Sequence, residues 1–195
     1  MFQVRIHGRG GQGVVTAAEI LSVAAFSEGR HAQAFPSFGS ERMGAPVVSF
    51  CRMDDRPIRT REPVMEADAI IVQDVTLIHQ VDLFAGLSPE GYVLVNTSRS
   101  FDELGLGDLF GQFHRDHLVT CPASELALEQ LGRPLPNAAL LGAFAALTRE
   151  ITLGAIDTAV RDRFAGALGE RNVDAATAAY RFVTHAEERV RAATD

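Results

Sequence analysis

A glycine-rich turn near the N-terminus carries the clearest chemical signal in the sequence. Gly8, Gly10 and Gly13 have the G-x-G-x-x-G spacing, and the turn lies between a predicted strand and a predicted helix. Glycines allow a tight turn and a close approach to the backbone, and the N-terminal end of a helix attracts a phosphate or carboxylate group. The candidate cofactor-binding residues are Gly8, Gly10, Gly11, Gln12 and Gly13.

The dinucleotide-binding form of this pattern also requires an acidic residue at the end of the second strand, where it holds the ribose hydroxyl groups. The predicted second strand, residues 32–35, has no acidic residue, and Glu28 falls in the last turn of the preceding helix. Three interpretations of the turn therefore stay open. It could bind NAD, it could be a purely architectural strand–helix turn, or it could meet another ligand or a partner chain.

A long irregular loop, residues 37–46, is the second candidate site. It places Glu41 and Arg42 between two glycines, and binding residues are found on loops more often than on helices or strands. We interpret it as a partner or access loop, and the alternative is a surface loop with an internal ion pair. The residues assigned to it are Ser37, Gly39, Glu41, Arg42 and Gly44.

The sequence contains no pattern typical of a catalytic or metal-binding site. It has no lysine, which excludes P-loop, Schiff-base and lysine general-base chemistry. Its two cysteines, Cys51 and Cys121, are too few for a four-thiolate cluster or zinc site, and we expect them to be buried free thiols. His114 and His117 are close in sequence, but they fall at a predicted loop–strand junction. We therefore predict that this chain has no catalytic residue and no metal site.

Apolar periodicity predicts strands that alternate with helices. The predicted strands are residues 2–7, 32–35, 47–53, 69–72, 92–96 and 117–121, with a short return strand from Ile58. The predicted helices are residues 14–27, 75–84, 123–131, 138–148, 155–164 and 173–193. This order is typical of an α/β fold, Rossmann-like and doubly wound, with a mostly parallel sheet and a helical C-terminal third. We expect one domain, residues 1–195, with the helices of residues 137–193 docked on its sheet.

Charge and composition limit the partners. The 195 residues carry a net charge of −7, from 18 basic and 25 acidic side chains. A basic stripe for nucleic acid is therefore not expected, and neither is a polybasic membrane anchor. The N-terminus alternates like a strand instead of forming a signal peptide, and no run of 18 apolar residues occurs. We expect a cytoplasmic protein.

Four segments together resemble a known family. They are GRGGQG at residues 8–13, PSFGSERMGAPV at residues 36–47, PIR at residues 57–59 and NAALLGA at residues 137–143. This set is similar to the gamma subunit, or the equivalent fused domain, of the 2-oxoacid:ferredoxin oxidoreductases of the pyruvate and ketoisovalerate type. The resemblance covers about residues 1–150. Its specificity comes from the joint occurrence of the glycine turn and the long loop.

The resemblance implies a subunit of a larger enzyme, inactive by itself. Such complexes decarboxylate a 2-oxoacid on thiamine diphosphate, pass electrons through 4Fe–4S clusters to ferredoxin or a similar acceptor, and commonly transfer the acyl group to coenzyme A. The implied partners are alpha, beta and ferredoxin-like delta subunits, which hold the thiamine diphosphate and the clusters. This chain would bind no cofactor alone, but its glycine turn would approach coenzyme A. One departure is Met43, where a second arginine after Arg42 is expected.

Two other functions stay possible from the residues alone. The first is a stand-alone nucleotide-binding protein of Rossmann type, against which the missing acidic residue argues. The second is a scaffold or regulatory module in which the glycine turn is only architectural.

Overall fold

The fold is seen in a computed structural model that describes residues 1–37, 43–111 and 113–192, except for the side chains of residues 187–192. Within these residues the strands are β1 (Phe2–Arg9), β2 (His31–Pro36), β3 (Pro46–Asp54), β4 (Ala67–Val72), β5 (Leu87–Asn96) and β6 (Leu118–Cys121). The helices are α1 (Val14–Ser27), α2 (Gly107–Phe110), α3 (Ala123–Leu131), α4 (Asn137–Thr148), α5 (Leu153–Arg163) and α6 (Gly166–Ala192).

The described strands form one six-stranded sheet in the order β2-β3-β1-β4-β5-β6. Strand β3 is antiparallel to both of its neighbours, whereas β4, β5 and β6 continue in parallel from β1. Five strands therefore share one direction, and the predicted α/β fold with a mostly parallel sheet is confirmed. The central strands read as continuous apolar runs because both of their faces are buried, as Ile70 and Ile71 illustrate with exposures of 0% and 1%.

One face of the sheet is covered by long helices. Val4, Ile6 and Leu94 point into a hydrophobic cluster that also contains residues of α1, α4, α5 and α6. Helix α4 is buried on all sides, from Ala138 to Thr148, because the sheet lies on one side of it and α6 on the other. The predicted C-terminal helices thus share the sheet's own core. No helix in the described part of the chain is both long and apolar enough to cross a membrane.

The opposite face is covered mainly by irregular segments. Val72, Val93 and Phe110 belong to its separate hydrophobic cluster, together with rings that pack edge to face on Phe110. The helix predicted at residues 75–84 is wrong, because only Val75–Leu77 forms a 3-10 turn. The guanidinium of Arg5, which comes from β1, donates to the carbonyl oxygens of Leu83 and Ala85 and so satisfies backbone groups outside a helix.

The return strand predicted from Ile58 is also wrong. The segment crosses towards β4 without pairing, and side chains from the sheet satisfy its carbonyl groups. Gln33 donates to the Ile58 oxygen at 3.2 Å, and Arg52 donates to the Glu62 oxygen at 2.7 Å. The last strand was predicted to start at His117, but it starts one residue later, at Leu118, since His117 ends a 3-10 turn.

Candidate functional site

The glycine turn lies at the point where the chain reverses its direction of winding across the sheet. After β1 the chain passes through α1 to β2 on one side, whereas β4 lies on the other side of β1. In open α/β sheets, ligands bind at the carboxyl ends of the strands at this switch point. The turn, residues 8–13, begins with the last two residues of β1 and is adjacent to the end of β4, where the nitrogen of Gln73 donates to the oxygen of His7 at 2.7 Å.

Three glycines of the turn are required by its geometry. Gly11 and Gly13 have φ angles of 92° and 73°, in the left-handed region that favours glycine. Gly8 has no room for a side chain, because a Cβ there would lie 2.6 Å from Cγ2 of Val14. Gly13 is the N-cap of α1, and its carbonyl oxygen accepts from the nitrogen of Ala17 at 2.9 Å.

Asp74, which the sequence analysis missed, holds the turn from the end of β4. Its Oδ2 accepts from Nε2 of Gln12 at 2.8 Å and from Nε of Arg9 at 3.1 Å. Burial raises the pKa of the Asp74 carboxyl, but hydrogen bonds from Thr76 and Gln12 and the charge of Arg9 outweigh it, so the pKa lies below its ordinary value. The carboxylate is therefore charged under physiological conditions.

The loop at residues 43–45 is bonded to the same turn. The nitrogen of Gly10 donates to the oxygen of Ala45 at 2.9 Å, and the nitrogen of Gly44 donates to the oxygen of Gly10 at 3.0 Å. Met43 is 90% exposed. Of the other predicted loop residues, Ser37 extends the β2–β3 pairing through its nitrogen, which donates to Val48. Gly39, Glu41 and Arg42 lie outside the described residues.

A cleft of about 450 Å³ opens beside the turn on the helical face of the sheet. Its wall includes three arginines, Arg133, Arg163 and Arg171, which come from the α3–α4 connection, the end of α5 and the start of α6. Residues 11–13 form the wall nearest the sheet, and no acidic residue lines the described part of the cleft. None of the three arginines has a carboxylate partner in the described portion of the chain.

Two helix N-termini meet at this cleft. Helices α1 and α4 begin at Val14 and Asn137, and their N-caps, Gly13 and Pro136, give no side-chain hydrogen bond to the first amides. Uncapped amide groups and the helix dipole favour an anion at such a position. Oδ1 of Asn137 is buried and has no hydrogen-bond partner among the described residues. The arrangement is a positively charged cleft with unsatisfied polar groups, which suits an anionic ligand.

Two amide side chains lie at the carboxyl ends of β4 and β5, and that of Gln73 is next to Gly8. Gln73 is 3% exposed, and both polar atoms of its side chain lack a hydrogen-bond partner within the described residues. Asn96, at the end of β5, donates to the carbonyl oxygen of Gln73 and to Oγ of Ser124, both at 2.8 Å. Sequence reasoning missed both residues, although each stands at the carboxyl end of a predicted parallel strand.

The cysteines lie apart from this site. Cys51 in β3 and Cys121 in β6 are buried free thiols, as expected. Burial raises the pKa of each thiol to about 12, which keeps both protonated. Three strands separate β3 from β6, so the two strands are roughly 19 Å apart at the usual inter-strand spacing. His114 contacts Glu90 at 3.1 Å, but no group in the described chain brings together the three or more side chains that a metal ion needs.

Comparisons with known proteins agree with this architecture. Residues 3–182 match the family described as pyruvate ferredoxin/flavodoxin oxidoreductase. The pyruvate/ketoisovalerate oxidoreductases common subunit gamma of Pyrococcus abyssi is 47% identical over 180 residues, which cover 92% of this chain and 96% of that protein. The pyruvate synthase subunit PorC of Methanothermobacter marburgensis is 43% identical over 185 residues, which cover 95% of this chain and 99% of that protein.

A solved structure gives the same result. The pyruvate oxidoreductase subunit PORC of Thermotoga maritima superimposes with a TM-score of 0.78 at 31% identity, covering 92% of this chain and 95% of that one. The resemblance inferred from the motifs is confirmed over nearly the whole length of the chain. The chain therefore belongs to the pyruvate ferredoxin/flavodoxin oxidoreductase family, and its relatives there are gamma (PorC) subunits.

Proposed function

We propose that this chain works as the gamma subunit, a single domain, of a cytoplasmic complex that oxidatively decarboxylates a 2-oxoacid. Electrons pass to ferredoxin or a similar acceptor, and alpha, beta and ferredoxin-like delta subunits complete the complex. Similarity to gamma and PorC subunits over more than 90% of both chains supports this function. The same similarity gives no support to a stand-alone nucleotide-binding protein.

The thiamine diphosphate and the 4Fe–4S clusters belong to the other subunits in this proposal. This chain's cysteines do not fit a cluster, because Cys51 and Cys121 are buried, protonated and on separated strands. A four-thiolate cluster also requires more cysteines than the two present.

The chain's own contribution is a binding site for the phosphate groups of coenzyme A, the acceptor of the acyl group. The observation that carries this assignment is the cleft beside the glycine turn, where two uncapped helices begin and where Arg133, Arg163 and Arg171 have no acidic partner among the residues that the structure describes. Guanidinium groups and helix N-termini are the protein groups that bind phosphate most readily.

The loop of residues 37–46 is the proposed contact with the partner subunits. Met43 supports this role, because a methionine that is 90% exposed offers apolar surface to another chain. Gly44 lies next to the glycine turn through its bond to Gly10, so a partner that meets this loop also meets the coenzyme A site.

The experiment that tests the coenzyme A assignment is steady-state kinetics of the reconstituted complex with Arg171→Ala and Arg133→Ala. Loss of one charge-assisted phosphate contact should raise the KM for coenzyme A about tenfold. The KM for the 2-oxoacid should stay unchanged. Arg181→Ala is the matched control, because Arg181 is exposed on α6 and does not line the cleft. An unchanged KM for coenzyme A in both cleft variants would contradict the assignment.

A further inference from the structure

We propose that Asp74 and Arg9 are positioning residues that fix the glycine turn and fasten it to the loop at residues 43–45. Neither residue was among the predicted site residues. The hydrogen bonds alone carry this inference, and only its kinetic test rests on the proposed coenzyme A site.

The two carboxylate oxygens of Asp74 accept hydrogen bonds from different parts of the chain. Oδ1 accepts from the nitrogen of Thr76 at 3.0 Å and thereby caps the 3-10 turn that follows β4. Oδ2 accepts from the side chains of Gln12 and Arg9, which both belong to the glycine turn. A local capping role would use Oδ1 alone. The bonds to Oδ2 cross more than 60 residues of sequence and join two strands of the sheet.

Gln12 transmits the position of Asp74 to the backbone of the turn. While its Nε2 is held by Asp74, its Oε1 accepts from the backbone nitrogen of Arg9 at 2.7 Å. The backbone nitrogen of Gln12 donates in return to the oxygen of Arg9 at 3.0 Å. Gly10 and Gly11 are enclosed between these two bonds. A carboxylate from beyond a different strand thus adds to the backbone bonds that Gly10 already makes with Gly44 and Ala45 in fixing the conformation of the turn.

Arg9 extends the same hydrogen-bond network to Gly44, in the loop at residues 43–45. Its guanidinium donates to the oxygen of Gly44 at 3.0 Å, to Oγ1 of Thr76 at 2.7 Å and to Oε1 of Gln80 at 3.0 Å. All three of these acceptors are neutral, so Asp74 supplies the negative charge that this half-buried cation needs. The glycine turn and residues 43–45 therefore form one hydrogen-bonded unit. Displacement of one of them must disturb the other.

The decisive variant is Asp74→Asn in the assembled complex. Asparagine has the same size and caps helices as well as aspartate does, so the 3-10 turn should survive. The variant removes the negative charge. If the asparagine oxygen keeps the cap to Thr76, its NH2 group takes the place of Oδ2 and cannot accept hydrogen bonds from Arg9 and Gln12. Asp108→Asn is the control, because Asp108 is an exposed carboxylate on α2 outside the network.

Two readouts separate positioning from general stability. Amide hydrogen exchange at Gly10, Gln12 and Gly44 should be about tenfold faster in Asp74→Asn than in the native complex or in Asp108→Asn, because the charge-assisted bonds to Oδ2 are weakened. The KM for coenzyme A should rise about tenfold, while kcat at saturating coenzyme A stays within about twofold. A general loss of stability would instead raise amide exchange throughout the sheet, and it would not raise KM while leaving kcat unchanged.

A double-mutant cycle tests whether Asp74 acts through Arg9. If it does, the increase in KM in the double variant Arg9→Met, Asp74→Asn should be smaller than the two single effects combined, with the remainder carried by the Asp74–Gln12 bond. Additive effects would contradict the coupling. If the Asp74→Asn complex does not assemble, Arg9→Lys is a second test of the positioning role. Lysine keeps the positive charge but cannot donate to Gly44, Thr76 and Gln80 together. Exchange at residues 43–45 should then rise selectively.

The outcomes also separate this inference from the proposed function. Faster exchange at the turn with an unchanged KM for coenzyme A supports the positioning role and contradicts the coenzyme A site. Unchanged exchange at residues 8–13 and 43–45 in Asp74→Asn overturns the positioning role, whatever the kinetics show.

Discussion

Asn137, the first residue of α4, packs directly against Gly13, the N-cap of α1. A Cβ at position 13 would lie 2.2 Å from Nδ2 of Asn137, well inside van der Waals contact. The two residues are 124 positions apart in the sequence, yet their contact brings the N-termini of two helices to the same cleft. The partial positive charges of the two helix N-termini are thereby added to the charge of the three arginines in the proposed site.

Gly13→Ala should therefore be more damaging than its backbone angle alone predicts. Position 13 combines a φ of 73° with the Asn137 contact, whereas Gly29 has a φ of 82° and no atom of the described residues within 4 Å of the place that a Cβ would occupy. Gly29→Ala should cost about 1 kcal/mol of unfolding free energy. Gly13→Ala should cost about 1–3 kcal/mol more, because it also overpacks. Chemical denaturation of both variants measures the difference, and equal losses would contradict the contact.

The packing of α4 on α6 gives a second prediction. A Cβ at Gly142 would lie 2.0 Å from the carbonyl oxygen of Ala176, a backbone atom that cannot move without the helix. Gly142→Ala should lower the free energy of unfolding by about 1–3 kcal/mol. Gly154→Ala is the matched control on α5, where the nearest atom is Oγ1 of Thr152 at 4.0 Å. That variant should be neutral or up to about 1 kcal/mol more stable, since alanine is the better helix former.

His7 should make stability depend on pH. Burial first, and the nearby charge of Arg5 second, lower the pKa of His7 to about 4 from 6.5. Between these values the unfolded chain binds a proton that the folded chain does not bind. The free energy of unfolding should therefore decrease as the pH falls from about 6.5 to 4, by about 3 kcal/mol from this residue.

The pH dependence is measured by denaturation of the native chain and of His7→Gln at pH 7 and pH 4. The variant should lose about 3 kcal/mol less than the native chain over this interval. His79→Gln is the control, because His79 is exposed. If His7→Gln and the native chain lose the same free energy, His7 is not held neutral by the fold.

Local signals in the sequence predicted much of the fold. The apolar run after the glycine turn gave α1 at Val14–Ser27, and the run before Gly132 gave α3 at Ala123–Leu131, both with the observed bounds. The runs in β4 and β5 predicted central parallel strands. The predictions that were wrong concern segments whose conformation depends on residues distant in the sequence. Residues 75–84 have a helical pattern, but Arg5 from β1 holds their end in an irregular path.

In the candidate site, too, the residues recognised from the sequence are those that form a local motif, and those that were missed come together only in the fold. The glycines were visible because their spacing is local. Asp74 was missed because the dinucleotide pattern looks for an acidic residue after the second strand, whereas here it follows β4. The sequence did contain a signal for Asp74. Gln73 and Asp74 come directly after a buried strand, where the side chains of a binding site are expected in a parallel sheet. The three cleft arginines come from separate segments, so no spacing rule could have grouped them.

Purification from the native extract under anaerobic, mild conditions, with mass spectrometry of the companion chains, tests the central claim most directly. The account predicts that this chain elutes with subunits that carry thiamine diphosphate and cysteine-ligated clusters, and that the preparation reduces a redox dye only when a 2-oxoacid is added. A chain that elutes alone and inert, with no such companions, would contradict its assignment as a gamma subunit.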